Sequence, residues 1–225
     1  MSFVVAIDGP AGVGKGTIAK RVADDLGLIT IDTGATYRCV TVAVLDKGIK
    51  LDEVDKITEL LKEIKIDMTL EGKETKVYLN GKDVTTRIRE DDVNNSVSLV
   101  STIKEVRAEM VNLQRKLAEG KNVIMEGRDI GTVVFPDATV KIFLDASLEE
   151  RAKRRYNQNQ ETGIDKDLSY EDVYESIKAR DYNDRNKPIG ALKQADDAIL
   201  VDTTGKTLEE NIKQVEDVIK SKVNL

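Results

Sequence analysis

The 225-residue chain has no histidine and a single cysteine, Cys39. The first absence removes histidine as a general base and as a metal ligand. The second rules out an intrachain disulfide, fits a reducing compartment and argues against a structural zinc site. Cys39 itself reads as a small packing residue rather than a nucleophile. No apolar run approaches the ~20 residues of a membrane-spanning helix, and the N-terminus leads directly into a strand pattern, so no leader peptide is expected. Internal repeats and low-complexity tracts are lacking as well. Lys and Arg number 35 against 41 Asp and Glu, a net charge of −6. That balance argues against a binder of nucleic-acid polymers but leaves room for a local basic site. The length suffices for one domain, with or without a small insert. A cytoplasmic enzyme is the simplest reading.

The most informative stretch is Phe3 to Thr17, FVVAIDGPAGVGKGT. An apolar run enters a glycine-rich turn, and the turn opens into a helical pattern. A strand aims such a loop, its N–H groups form an anion cradle, and the helix N-terminus adds its dipole. Gly9, Gly12 and Gly14 permit backbone angles and close approaches that a side chain would obstruct. Lys15 then reaches the outer phosphates as a flexible point charge. The pattern is G-x-x-x-x-G-K, but Gly16 follows the lysine and the hydroxyl, Thr17, comes one position late.

Five short apolar runs read as buried parallel strands: Phe3–Ile7, Leu28–Ile31, Asn122–Met125, Val140–Leu144 and Ala198–Val201. Helical patterns separate most of them. Ile18, Val22 and Leu26 repeat every four residues until Gly27. Val106, Met110, Leu113 and Leu117 make a second stripe, with Thr102 and Glu105 as a capping box and Gly120 as its stop. Leu208, Ile212, Val215 and Ile219 define a last helix. The alternation implies an α/β sandwich. Lys65 to Thr86 breaks it: Ile66, Met68 and Leu70, then Val77 and Leu79, alternate with period two, and Asn80-Gly81 is a hairpin turn signal. This is a small antiparallel insert, either functional or a decoration at a loop tip.

Further candidate groups fall at strand carboxyl ends, where open α/β sheets bind ligands. In Asp32-Thr33-Gly34-Ala35-Thr36-Tyr37-Arg38, Thr33 can hydrogen-bond a phosphate and Arg38 can grip one bidentately, or Arg38 is a surface residue at a helix start. Glu126-Gly127-Arg128-Asp129-Ile130-Gly131 is a second polar cluster, suited to a phosphate and to a base or sugar. Arg151, Arg154 and Arg155 share a helix face, which is either solvated or matched to a transferring phosphoryl group. The polar segment Asn157 to Asp167 follows as a candidate lid tip. In the third basic cluster, Lys178 to Pro188, Arg180 and Asp184 are four apart and can simply pair.

These pieces, in this order, resemble a bacterial cytidylate kinase, a nucleoside monophosphate kinase. The resemblance spans nearly the whole chain. It is carried by GPAGVGKGT at 9–17, DTGATYR at 32–38, the insert, EGRDIGTVVFPDA at 126–138, KIFLDAS at 141–147 and KARDYNDRNK at 178–187. It implies a P-loop three-layer sandwich with a five-stranded parallel sheet, residues 1–225 as one domain, an acceptor-binding β insert at 65–93 and a helical lid at 148–168. It implies ATP and magnesium, with Gly9, Pro10, Ala11, Gly12, Val13, Gly14, Lys15, Gly16 and Thr17 around the phosphates, Thr17 as the metal ligand and Arg154 added from the lid. Arg38, Arg128 and Arg180 would hold the acceptor phosphate. Ser98, Arg107 and Asp129 match positions that read cytosine, and Asp184 matches the one that contacts the ribose 2′-OH. Tyr37 and Thr33 join them, Thr33 filling a position often held by Ser. Lys15, Arg128 and Arg154 are the catalytic set. Lys187 stands where some relatives carry Arg, which keeps the charge and loses the fork.

The implied activity is phosphorylation of CMP and dCMP in pyrimidine nucleotide metabolism, by a monomer acting on small molecules. Two other readings stand beside it. One is a kinase for UMP, AMP or another small molecule. The other is a nucleotide-gated switch, although the guanine-reading N-K-x-D pattern fails at Asn186-Lys187-Pro188-Ile189. A dinucleotide oxidoreductase fits poorly, because the glycines run in the reverse spacing of G-x-G-x-x-G.

Overall fold

The computed structural model describes residues 2–71 and 74–223. Among the described residues, eight strands and eight α-helices follow one another as β1 (Val4–Asp8), α1 (Lys15–Leu26), β2 (Ile29–Asp32), α2 (Thr33–Asp46), α3 (Val54–Leu61), β3 (Ile66–Glu71), β4 (Glu74–Leu79), β5 (Lys82–Asp83), α4 (Asp91–Val100), α5 (Lys104–Ala118), β6 (Val123–Gly127), β7 (Val140–Asp145), α6 (Leu148–Thr162), α7 (Tyr170–Arg185), β8 (Ile199–Asp202) and α8 (Leu208–Lys222). A 3₁₀ turn spans Arg87–Arg89 and a π-helical turn spans Ile130–Val134.

Five strands form one sheet in the order β2-β6-β1-β7-β8, with every neighbouring pair parallel. All five carboxyl ends therefore share one edge. After β6 the chain crosses over β1 to reach β7, so β1, which feeds the glycine-rich loop, marks the point where the winding reverses. Both faces of the sheet are buried. Val5 and Ile7 pack with Ile18, Val22, Ile212, Val215 and Ile219 of α1 and α8 on one side. Ala6, Ile31 and Met125 pack with Ala118 and Ile130 on the other. This two-sided burial is why the strands read as unbroken apolar runs. Each strand runs at least one residue past its apolar run, so that β1, β2, β7 and β8 end on Asp8, Asp32, Asp145 and Asp202.

The insert is a three-stranded antiparallel sheet, β3-β4-β5. Asn80 and Gly81, at φ 51° and 79°, join β4 to β5, with Leu79 paired to Lys82. The connection from β3 to β4 lies outside the described residues. Ile66, Val77, Val84 and Ile88 share one apolar cluster with Tyr37, Cys39 and Val40 of α2, Ile57 of α3, Val93 of α4 and Met110 of α5. The insert thus rests on α2, which carries the 32–38 motif, and on α3, α4 and α5. Cys39 is fully buried there, and burial pushes its thiol up to about 12, in keeping with a packing role.

Three local expectations change. The capping box at the start of α5 does not form: Ile103 is the cap residue, and the Thr102 hydroxyl donates to the Leu99 carbonyl instead. Asn157 to Thr162 do not loop out but complete α6, whose end is set by Gly163. Ile130 and Gly131, the end of the expected polar loop, open a π turn that runs on to Val134. Helices α6 and α7 pair through a small apolar cluster of their own, built on Ala152, Val173 and Ile177 with Leu148, Tyr156, Tyr170 and Tyr174. Among the described residues, no helix is long and apolar enough to cross a membrane.

Candidate active site

The site forms along the carboxyl edge of the parallel sheet. Residues 9–14 loop from β1 into α1, passing so close to β7 that a methyl group on Gly9 would lie 2.2 Å from the Leu144 carbonyl oxygen. No side chain caps α1, which leaves its first amides for an external acceptor. Lys15 is buried, and its ammonium donates to the Pro10 carbonyl at 2.8 Å. Burial, and then the positive charge of Arg128, pull its pKa down to about 7, with Glu126 opposing. Thr17 lies two residues on, in the first turn of α1, and is exposed.

Asp32 at the end of β2 caps α2 by accepting from the Ala35 amide, and also binds Arg38 at 2.6 Å and Arg89 at 2.9 Å. The Nε of Arg38 is buried without a partner among the described residues. That guanidinium therefore keeps one donor unpaired. Thr33 donates its hydroxyl to the Glu126 carbonyl at 2.7 Å, which keeps its lone pairs available as acceptors. The Glu126 carboxyl is raised by burial and by the nearby Asp32.

Beyond β6, Arg128 and Asp129 diverge. Arg128 donates through Nε to Asp184 at 2.9 Å, while Asp129 forms a buried ion pair with Arg107. Arg180 and Asp184 do not pair: Asp184 takes Arg128 and Lys187, the latter at 2.8 Å. Burial and then Arg128 hold the Arg180 pKa down at about 10, with Arg155 and Arg38 adding to the repulsion. Arg38, Arg128, Arg155 and Arg180 thus converge, and Arg128 and Arg180 both press on Lys15. Like charges gathered around one point are costly unless an anion relieves them.

The expected base-reading residues form the next layer. The Arg107 guanidinium stands over the Tyr37 ring, 5.5 Å from its centroid, and reaches the Ser101 carbonyl at 3.5 Å. Ser98 is half-buried one turn earlier on α4, where its carbonyl accepts the Ser101 hydroxyl at 2.9 Å. Lys187 donates to that same hydroxyl at 3.2 Å.

The three arginines of α6 do not act as one face. Arg151 is buried and donates to the Ala146 and Ala11 carbonyls at 3.0 Å each. Arg154 binds Glu150, the Thr203 hydroxyl and the Thr203 carbonyl, at 3.0, 3.0 and 2.6 Å. Arg155 is exposed, and only its charge reaches the cluster around Arg180.

Three contributors escaped the sequence reading. Asp8 accepts the Ile130 and Gly131 amides at 2.8 Å each, so the strand that feeds the phosphate loop also holds the Arg128-Asp129 segment. A carboxylate closing the central apolar run was the signal for it. Arg89 arrives from the 3₁₀ turn, and Gly190 backs Arg107 so closely that a methyl group there would lie 2.2 Å from the guanidinium carbon. Neither carried a local signal.

A glycine-rich phosphate loop on a parallel sheet, a buried lysine and a ring of arginines define a P-loop phosphotransferase. The fold is shared with solved structures of low sequence identity. A gluconokinase from Sinorhizobium meliloti superposes with a TM-score of 0.52 at 12% identity, covering 98% of this chain and 94% of that one. TT1252 from Thermus thermophilus gives 0.51 at 16%, covering 100% and 99%. The family model for cytidylate kinase matches residues 5–221. The cytidylate kinase of Fusobacterium nucleatum is 50% identical over 211 residues, 94% of each chain. That of Caldanaerobacter subterraneus is 49% identical over 220 residues, 98% of this chain and 96% of its own. That of Leuconostoc mesenteroides is 45% identical over 223 residues, 99% of each. The chain belongs to the cytidylate kinase family.

Proposed function

We propose that the protein transfers the γ-phosphoryl group of ATP directly to CMP and dCMP, giving CDP and dCDP. The observation that carries this reading is the convergence of Lys15, Arg38, Arg128, Arg155 and Arg180 at the carboxyl edge of the sheet, beside the Arg107–Asp129 pair. Phosphoryl transfer asks little covalent chemistry of a protein; it needs alignment, charge neutralisation and exclusion of water. A chain without histidine meets those needs.

In this reading the 9–14 loop and the α1 amides cradle the ATP phosphates, and Lys15 turns from Pro10 to the β and γ oxygens. Arg38 and Arg180 grip the acceptor phosphate with Arg128, which lies closest in charge to both Lys15 and Arg180 and neutralises the transferring group. Asp129, Arg107, Ser98 and Tyr37 receive the cytosine, Asp184 receives the ribose, and Thr33 lends its hydroxyl. A base that leaves the buried polar groups unpaired is rejected. Arg154, fully engaged behind the loop, supports the ATP side, while Arg155 is the arginine of α6 that faces the transfer. Residues 65–93 serve as the acceptor-side insert and 148–168 as the lid.

Magnesium suits the residues present. The Glu126 carboxylate lies against Gly16, where an added methyl would come within 2.9 Å of it, and burial, then Asp32, raises its pKa, a cost that a cation there would relieve. Magnesium takes one or two carboxylates together with substrate phosphates. Thr17, in the first turn of α1, offers the hydroxyl. When bound, the ion would neutralise phosphate charge.

The test is ADP release from ATP and magnesium with CMP, dCMP, UMP, AMP, GMP or no acceptor. Turnover with CMP and dCMP at about 1–100 per second is expected. Activity confined to another acceptor would overturn the base-site assignment. Absence of acceptor-dependent ADP would overturn the kinase reading.

A further inference from the structure

Arg151 stands apart from the other arginines. Its side chain is only 5% exposed, and every contact it makes is internal. Nε donates to the Ala146 carbonyl, and Nη1 donates to Ala11 within the phosphate loop and pairs with Asp181 of α7 at 2.6 Å. Its backbone packs on the loop too: a methyl group on Gly12 would sit 3.2 Å from the Arg151 carbonyl oxygen and 3.3 Å from its Cβ. On the far side, Asp181 is buried, and its Oδ1 has no partner among the described residues. Arg151 is therefore the principal charged neighbour of that carboxylate. Asp181 directly follows Arg180 and lies one turn before Asp184.

We infer that the Arg151–Asp181 pair couples the donor and acceptor sites, transmitting the seating of the phosphate loop to Arg180 and Asp184 on α7. The inference rests on the assignment of ATP to the loop and CMP to the arginine cluster. Two structural facts make the pair a link rather than a local brace. Helices α6 and α7 pack through an apolar cluster that includes Ala152, next to Arg151, and Ile177, one turn before Asp181, so the ion pair continues their contact towards the loop. Arg151 of α6 meets the loop through its buried 3.0 Å hydrogen bond to Ala11 and meets α7 through its 2.6 Å contact to Asp181, so one guanidinium bridges the two and tolerates little displacement. A loop drawn in around triphosphate oxygens carries the Ala11 carbonyl with it. Arg151 follows, and Asp181 and its neighbours are reoriented. Linkage makes the effect reciprocal, so CMP tightens the loop by the factor by which ATP tightens the acceptor site. Arg151 and Asp181 touch neither substrate; they are positioning residues.

The experiment is calorimetric titration of CMP with and without a saturating non-hydrolysable ATP analogue, on the wild type, Asp181→Asn and Arg151→Lys. Far-UV circular dichroism and thermal melts confirm that each variant is folded. In the wild type the analogue is expected to tighten CMP by a factor in the range of about 5–150 usual for coupled sites. In Asp181→Asn, whose neutral amide keeps the shape but not the charge, that factor should fall to within about threefold of unity, while each ligand alone binds within about threefold of wild type. Arg151→Lys should do the same, since lysine cannot hold Ala11, Ala146 and Asp181 together. A wild type without coupling, or variants with coupling intact, would overturn the inference. So would loss of either ligand's solo affinity with the melt unchanged, which would place the pair inside a binding site. Failure of the wild type to bind CMP or the analogue at all would instead sink the kinase reading and take the inference with it.

Discussion

Arg107 and Asp129 come from α5 and from the segment after β6, and they meet in an ion pair whose side chains are 6% and 8% exposed. Burial raises the Asp129 carboxyl, Arg107 acts against that, and Lys187 and Arg128 add to the opposing field. Breaking a buried pair from one side leaves an uncompensated charge and costs about 3–5 kcal/mol. Asp129→Ala should therefore lower the unfolding free energy in urea by about that amount and raise the KM for CMP with the KM for ATP unchanged. A loss under about 1 kcal/mol would mean that Arg107 finds another partner.

Gly190 offers a gentler way to disturb the same guanidinium. A methyl group there would lie 2.2 Å from the Arg107 carbon, and the residue has φ +67°. The obstructed atom ends a flexible chain, so the arginine swings aside rather than the backbone, at about 1 kcal/mol for the left-handed conformation. Gly190→Ala is expected to fold, to raise the KM for CMP about tenfold, equivalent to about 1.4 kcal/mol, and to leave ATP binding alone. Equal effects on both substrates, in two-substrate steady-state kinetics, would contradict the placement.

Lys15 should make nucleotide binding a proton-linked event. Burial and Arg128 hold its ammonium near a pKa of about 7 in the free protein. Phosphate oxygens favour the charged form and would raise that value. At pH 8 a non-hydrolysable ATP analogue should therefore bind with uptake of up to about one proton, and at pH 6 with little uptake by this group. Affinity falls as pH rises above 7. Calorimetry in two buffers of different ionisation heat measures the uptake, and Lys15→Met should abolish it.

Asp8 links the two loops, and its protonation is expected to govern them. Burial pushes its carboxyl up to about 6, against the two amide hydrogen bonds. The folded value lies above the ordinary one of 3.8, so ionised Asp8 lowers stability above pH 6 and the penalty is relieved as pH falls towards 4. Activity should move the other way, because protonation weakens the grip on the Ile130 and Gly131 amides. An acid limb in kcat/KM near pH 6 is expected. Asp8→Asn should lose the limb, because the neutral amide no longer titrates.

Asp184 behaves in the opposite sense. Burial alone would raise it, but the charges of Arg128 and Lys187 outweigh burial and hold it at about 2. The folded value lies below the ordinary one, so its stabilisation is complete above about pH 5 and lost as pH falls towards 2. The contribution is about 2 kcal/mol. Asp184→Asn should flatten the acid arm of the stability curve by that amount, read from urea midpoints between pH 5 and 2.

Much of the fold was legible because local rules and tertiary burial agreed. The five apolar runs became the five parallel strands, since a strand covered on both faces needs no polar alternation. Gly27 closed α1, and Asn80-Gly81 turned the insert. The apolar runs end short of the strands because they stop where the chemistry starts: Asp8 and Asp32 continue the ladder with side chains that an apolar pattern cannot include. Thr102 and Glu105 had the spacing of a capping box, but the preceding turn claimed the hydroxyl.

The site divided in the same way. Lys15, Arg38, Arg128, Asp129 and Arg180 stood in motifs whose chemistry the sequence alone declares, because a phosphate cradle or a strand-end cluster is a local pattern. Their partners were not local. Arg151, Arg154 and Arg155 are equivalent by helical spacing, and only the packing of α6 against the phosphate loop, α7 and Thr203 makes the first a strut and the second a brace while the third stays exposed. Asp184 chose Arg128, 56 positions away, over Arg180 four positions away, and Gly190 acquired its role from an arginine on another helix. Sequence by itself determined the layers, the phosphate loop and the kind of charge along the sheet edge, all of which follow from short-range pattern and burial. The tertiary structure alone decided which charges meet, because a desolvated ion pair is selected by the fold that brings its two halves together.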